Sequence, residues 1–191
     1  METLEIQKSP ERKEKPPFLY HGSPHKDIEA VEPRKEKYRD LEEGELVFAT
    51  QDLAIATIFM TKASRGSGSF GDVPYVYIIE PREEFIKDDN GGHIYVLPSD
   101  TFACDPNKGL GVYEWTSKEK VKPVRKIEYS STLDAMLENG VQVYFMDEET
   151  HRKIEVSKDH GLSIYRELES ENQRRGINIR SFLEGDYNYT P

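Results

Sequence analysis

Apolar and polar positions alternate in short bursts along this chain and rarely settle into a long helical period. Phe18-Leu19-Tyr20 opens the first burst and runs directly into His21-Gly22-Ser23, so a histidine is expected where a strand ends in a turn. Leu46-Val47-Phe48-Ala49-Thr50 is a continuous apolar run of the kind a buried strand shows. Val76 to Glu80, Ile94 to Leu97, Val121 to Tyr129 and Val141 to Phe145 read as further strands, with Pro123 favouring a sheet edge. Leu53, Ala56, Phe59 and Met60 share one helical face, which predicts a helix running to about Ala63 and capped by Thr50 or Asp52. Further helices are expected over Thr132 to Glu138, ended by Asn139-Gly140, and over Gly161 to Gln173. Arg65-Gly66-Ser67-Gly68-Ser69 reads as a flexible loop rather than a phosphate cradle of backbone N–H groups, since it lacks the helix N-terminus and lysine of a P-loop, and Asp88-Asp89-Asn90-Gly91-Gly92 reads as a turn. Many strands with few, short helices predict an α+β domain rather than a doubly wound sheet.

The organisation that follows has three parts. Residues 1 to 16 are charged, poor in large apolar side chains and end at Pro16-Pro17, which predicts a disordered leader. Residues 17 to 130 form the core, and 131 to 191 form a C-terminal extension packed on it.

Charge and cysteine content narrow the classes of function. A formal net charge of -10 repels phosphate backbones and disfavours non-specific nucleic-acid binding. The one cysteine, Cys104, excludes an intramolecular disulfide and a zinc site built on several thiolates. No apolar run approaches the roughly 20 residues of a membrane span. The first residues lack the apolar centre of a signal peptide, so a soluble, cytoplasmic protein is expected, with no membrane partner.

Three segments carry the candidate chemistry: His21-Gly22-Ser23, the run through Phe48 and Thr50, and Tyr113-Glu114-Trp115. Each has an ordinary alternative: His21 as a half-buried structural residue, Glu114 as a surface carboxylate, and Val47 and Phe48 as core. Together they suit cleavage of an N-glycosidic bond. Loss of the base leaves a ribose with oxocarbenium character; a carboxylate stabilises that charge, an imidazole hydrogen-bonds a sugar hydroxyl, and an aromatic ring stacks on the base. A metal site is not expected, because Pro24 between His21 and His25 prevents a shared helical face.

The order of these segments resembles the ADP-ribosyltransferase superfamily, in particular its diphtheria-toxin-like branch with a His-Tyr-Glu pattern. The resemblance covers roughly residues 18 to 129. Leu19-Tyr20-His21-Gly22-Ser23 is similar to the strand carrying that family's first motif, Leu46-Val47-Phe48-Ala49 to the second, and Tyr113-Glu114-Trp115 to the third motif of poly(ADP-ribose) polymerases. The middle strand is also similar to rifampicin ADP-ribosyltransferases and, more loosely, to NAD-dependent RNA 2'-phosphotransferases. The resemblance implies two small packed antiparallel sheets with NAD, a substrate, in the cleft between them. It implies His21 and Glu114 as catalytic residues. His21, Gly22, Ser23, Phe48 and Thr50 would bind the dinucleotide: His21 at a ribose hydroxyl, the Gly22 backbone at the carboxamide. ADP-ribose would pass to an acceptor that is a protein, a nucleic acid or a small molecule.

The chain departs from the family at the second-motif tyrosine, which falls on Val47 or on Phe48 according to register; Tyr75, Tyr77 or Tyr95 could supply a ring instead. Two alternatives follow: a module that binds NAD, ADP-ribose or a protein without turnover, and an RNA 2'-phosphotransferase. The latter is disfavoured by the scarcity of arginines near the three motifs.

Overall fold

The computed structural model describes residues 15–36, 41–63, 65–70, 73–159 and 161–175. Among them the chain is mixed α+β, with eight strands and five α-helices. Almost all of the expected leader, 1–14, and the end of the C-terminal segment, 176–191, lie outside the described residues.

Strand β1 (Phe18–Ser23) alternates as its sequence does: Leu19, His21 and Ser23 are buried on one face, and Tyr20 and Gly22 face the other way. It pairs antiparallel with β5 (Gly92–Pro98) over its whole length, from Phe18 opposite Pro98 to Ser23 opposite His93. Strand β7 (Arg125–Tyr129) closes the other side of β5. Leu19 packs with Tyr95, Leu97, Val47 and Trp115 in the first core. Strand β2 (Val47–Ala49) pairs antiparallel with β6 (Trp115–Ser117) as a separate ribbon. A single bridge, Tyr20 to Thr50, ties that ribbon to β1.

The remaining sheet contains β3 (Arg65–Phe70), β4 (Val73–Ile78) and β8 (Gln142–Phe145). Here β4 and β8 run parallel. The expectation of two antiparallel sheets is therefore corrected: the described residues form three small sheets, and one is mixed, because the chain returns to β4 only after passing through α3 (Thr132–Glu138). Strand β8 thus brings part of the segment after Ser130 into a sheet, while α3 packs on α1 (Leu53–Ile58) and α5 (Leu162–Arg174) packs on β8. Val76, Ile78, Met136 and Val143 form the second core. Ala56, Met60, Ile94 and Ala135 connect the two, so α1 lies at the junction of the sheets.

Several elements differ from the sequence expectation. The Gly-Ser stretch at Arg65 is strand β3, not a loop. A Cβ on Gly66 would lie 2.2 Å from the Tyr77 hydroxyl, and one on Gly68 2.7 Å from that of Tyr75, so cross-strand tyrosine rings cover the bare glycine backbone. Helix α1 stops at Ile58, with Asp52 rather than Thr50 as its cap: Asp52 accepts hydrogen bonds from Ala54 N at 2.8 Å and Ile55 N at 3.4 Å. Helices α2 (Arg82–Asp88) and α4 (Glu148–Val156) were not expected. The first buries only Phe85 and the second buries no residue, so neither has the wide apolar stripe that marks a helix in sequence.

Candidate functional site

The cavity originates where β1 and β2 part. Tyr20 and Thr50 exchange both backbone hydrogen bonds, at 2.7 and 2.9 Å. In an antiparallel ladder, alternate residues direct N–H and C=O to the same edge. Gly22, two residues beyond Tyr20, therefore points its N–H and C=O toward β2. Yet β2 has diverged, and among the described residues no strand pairs with Gly22 on that edge. The gap opens into a cavity of about 700 Å³.

His21, Gly22, Ser23, Phe48, Thr50 and Glu114 all line this cavity. Three of these positions follow from strand alternation. In β2, Val47 and Ala49 turn into the core and Phe48 turns to the cavity, which decides between the two registers the sequence allowed. Trp115, the first residue of β6, is buried in the core, so its neighbour Glu114 faces the opposite side. The β2–β6 register, continued by one residue, sets Glu114 across from Thr50 and so beside the bridge to β1.

His21 is 8% exposed, and its Nδ1 lies 2.7 Å from the Phe48 carbonyl oxygen. A carbonyl only accepts, so Nδ1 carries the proton and the neutral ring keeps Nε2 as an acceptor. Burial pushes the His21 pKa below its ordinary value. The Phe48 carbonyl opposes that shift, and the Arg34 charge adds to it. At neutral pH the ring is an uncharged acceptor suited to a hydroxyl donor.

The other predicted residues have structural partners as well. The Ser23 hydroxyl accepts from His25 N at 3.2 Å, and the Thr50 hydroxyl accepts from Asp52 N at 3.1 Å. Gly22 is required by the chain itself: a Cβ there would lie 1.8 Å from the Ala56 carbonyl oxygen of α1. The close approach that the sequence suggested for a ligand is made by a helix on one face, while the backbone edge faces the cavity.

Other residues of the cavity are not among those the sequence assigns to the site. Arg34 and Arg65 both line it, so the cavity holds arginines although few lie near the three motifs in the sequence. Arg34 arrives through a bridge to Leu46, and Arg65 stands at the start of β3, so neither is near a motif in sequence. The tyrosines of the cavity are Tyr20 and Tyr113. Those considered from sequence lie elsewhere: Tyr75 packs on Tyr165, Tyr77 on His151, and the Tyr95 hydroxyl donates to the His25 carbonyl at 2.7 Å. Glu114 also borders a second cavity of about 380 Å³, with Glu42, Glu43, Asp105, Lys108 and Lys118 among its walls.

Among the described residues, no group of three or more His, Cys, Asp or Glu side chains is placed to hold a metal ion. Likewise no helix there is long and apolar enough to cross a membrane. Comparison with family models, with curated proteins and with solved structures finds no match for this chain.

Proposed function

We propose that this protein is an ADP-ribosyltransferase-like enzyme that binds NAD in the His21–Glu114 cavity, releases nicotinamide and passes ADP-ribose to an acceptor. The observation that supports this reading is that an uncharged histidine, an open backbone edge at Gly22, an aromatic ring and a carboxylate border one cavity. On this reading His21 Nε2 accepts from a ribose hydroxyl. The Gly22 C=O accepts from the carboxamide NH2 and the Gly22 N–H donates to the carboxamide oxygen. Phe48 stacks on the departing ring. Glu114 stabilises the positive ribose as the C–N bond breaks and orients its hydroxyls.

The test is release of nicotinamide from NAD by the full chain. Glu114→Gln keeps shape and removes charge. It is expected to lower the rate by about 10²–10³-fold, with thermal stability little changed. Equal rates for parent and variant would remove Glu114 from the chemistry.

A second reading is a module that binds NAD or ADP-ribose without turnover. It is favoured by Phe48, which offers a ring but no hydroxyl where the resembled family carries tyrosine. Tight NAD binding by the parent with no nicotinamide release would support it.

A further inference from the structure

Among the described residues, Arg65 is a cation without an anion. It is half-buried in the cavity wall, and burial pushes its pKa down. Its Nη1 donates to the Thr61 carbonyl at 3.1 Å, and its guanidinium carbon lies 5.3 Å from the centre of the Phe59 ring. These contacts fix the plane of the fork and neutralise nothing. Among the described residues no carboxylate forms an ion pair with it, whereas Arg34 has Glu36 at 2.8 Å and Arg175 has Glu171 at 3.5 Å. Removing a charge from water is costly unless a counter-charge is supplied, and a fixed guanidinium fork matches phosphate oxygens in pairs. Ser67, two residues along β3, lies on the same strand face and also lines the cavity. Arg34 also lines the cavity, but its charge is met by Glu36, which lines it too, so among the described residues Arg65 is the cation left to a ligand.

We propose that Arg65, with Ser67 beside it, forms an anion subsite that takes a phosphoryl or diphosphate group. The subsite itself follows from this geometry. Its assignment to the diphosphate of NAD rests on the ADP-ribosyltransferase reading. The same chemistry is offered by a phosphate group on RNA.

The experiment is calorimetry on the full chain with pyrophosphate, ADP-ribose, NAD, nicotinamide and a 2'-phosphorylated oligonucleotide. Pyrophosphate and ADP-ribose are expected to bind, and Arg65→Met to weaken both by about tenfold or more. Nicotinamide affinity should be unchanged, and Arg65→Lys should restore part of the loss. The Arg65 side-chain nitrogen resonances of the unmodified protein should also move when pyrophosphate is added, a readout that does not depend on how any variant folds. Pyrophosphate and ADP-ribose binding that depends on Arg65, without nicotinamide binding or NAD cleavage, would keep the subsite and end the transfer reading. Arg65-dependent binding of the oligonucleotide alone would identify RNA as the source of the phosphate. Resonances that stay in place, or affinities equal in parent and Arg65→Met, would overturn the subsite.

Discussion

Strand β1 meets its two neighbours in opposite ways. Toward β5 it pairs over all six residues, and toward β2 it holds one bridge, Tyr20 to Thr50, and then parts. Each edge carries a buried histidine. On the closed side is His93, in β5 opposite Ser23; it is 1% exposed, its Nδ1 has no hydrogen-bond partner among the described residues, and its Nε2 stands 3.8 Å from Glu128. On the open side is His21, whose ring is fixed by the Phe48 carbonyl and borders the cavity. A continuous ladder spends every backbone group on itself, whereas a ladder that stops leaves a donor and an acceptor for a ligand. The candidate site is a consequence of stopping the ladder one bridge after it begins.

The largest effect is expected where α1 presses on β1 beside that gap. Gly22→Ala places a Cβ against the Ala56 carbonyl, a backbone atom that α1 cannot move without shifting the junction of the sheets. A loss of about 3 kcal/mol or more is expected in denaturant unfolding. Gly68→Ala meets the outer part of the Tyr75 ring rather than backbone, and should cost less, about 1 kcal/mol. Equal losses for the two would mean that α1 yields more readily than described.

Asp89 is next in size, and it holds the closed side. Its carboxylate accepts from the backbone of Thr132 at 2.8 Å, of Leu133 at 3.0 Å and of Gly91 at 3.0 Å, and from the Ser131 hydroxyl at 2.9 Å. Burial alone would raise its pKa, but these donors together outweigh burial and lower it. Asp89→Ala should cost about 2 kcal/mol near neutral pH. A group with a lowered carboxyl pKa contributes stability above the pKa of the unfolded chain and loses it as pH falls through the folded value. The gap between parent and variant should therefore narrow in acid, and a gap independent of pH would contradict the hydrogen-bonded account.

The smallest effect separates the histidines. Burial is the first cause of the lowered pKa at both. His93 is further lowered by Lys126 and Lys26 and raised by Glu128 and Asp27, while His21 feels Arg34. As pH falls through the ordinary histidine range, the unfolded chain takes up protons first, so stability declines below that range and is unaffected above it. His93→Gln should flatten this decline measured by urea unfolding at several pH values. Nicotinamide release should keep its rate to a pH below the ordinary histidine value before falling, because the acceptor form of His21 survives to lower pH. A midpoint above that value would contradict the neutral Nδ1–H form.

Much of the closed side is legible in the sequence and less of the open side. Asn139-Gly140 ends α3 where expected, because Gly140 adopts a positive φ of 83° that marks a helix stop. The choice between Val47 and Phe48 could not be read, since a shift of one residue exchanges the faces and the pairing of β2 with β6, distant in the chain, sets it. Arg65 reads as part of a flexible loop because glycine and serine favour loops on their own. They form β3 only where the Tyr75 and Tyr77 rings lie across them. Arg34 was hidden in a charged segment with no apolar period, fixed in place by a two-bond bridge to Leu46. What a sequence shows directly is local pattern, and the cavity is assembled from contacts distant in the chain.

The most direct measurement is a crystal of the full chain soaked with NAD. The account predicts the carboxamide on the Gly22 N–H and C=O, a ribose hydroxyl on His21 Nε2, and the Glu114 carboxylate against the nicotinamide ribose. NAD bound elsewhere on the surface, or a cavity that remains free of it at saturating NAD, would contradict the claim.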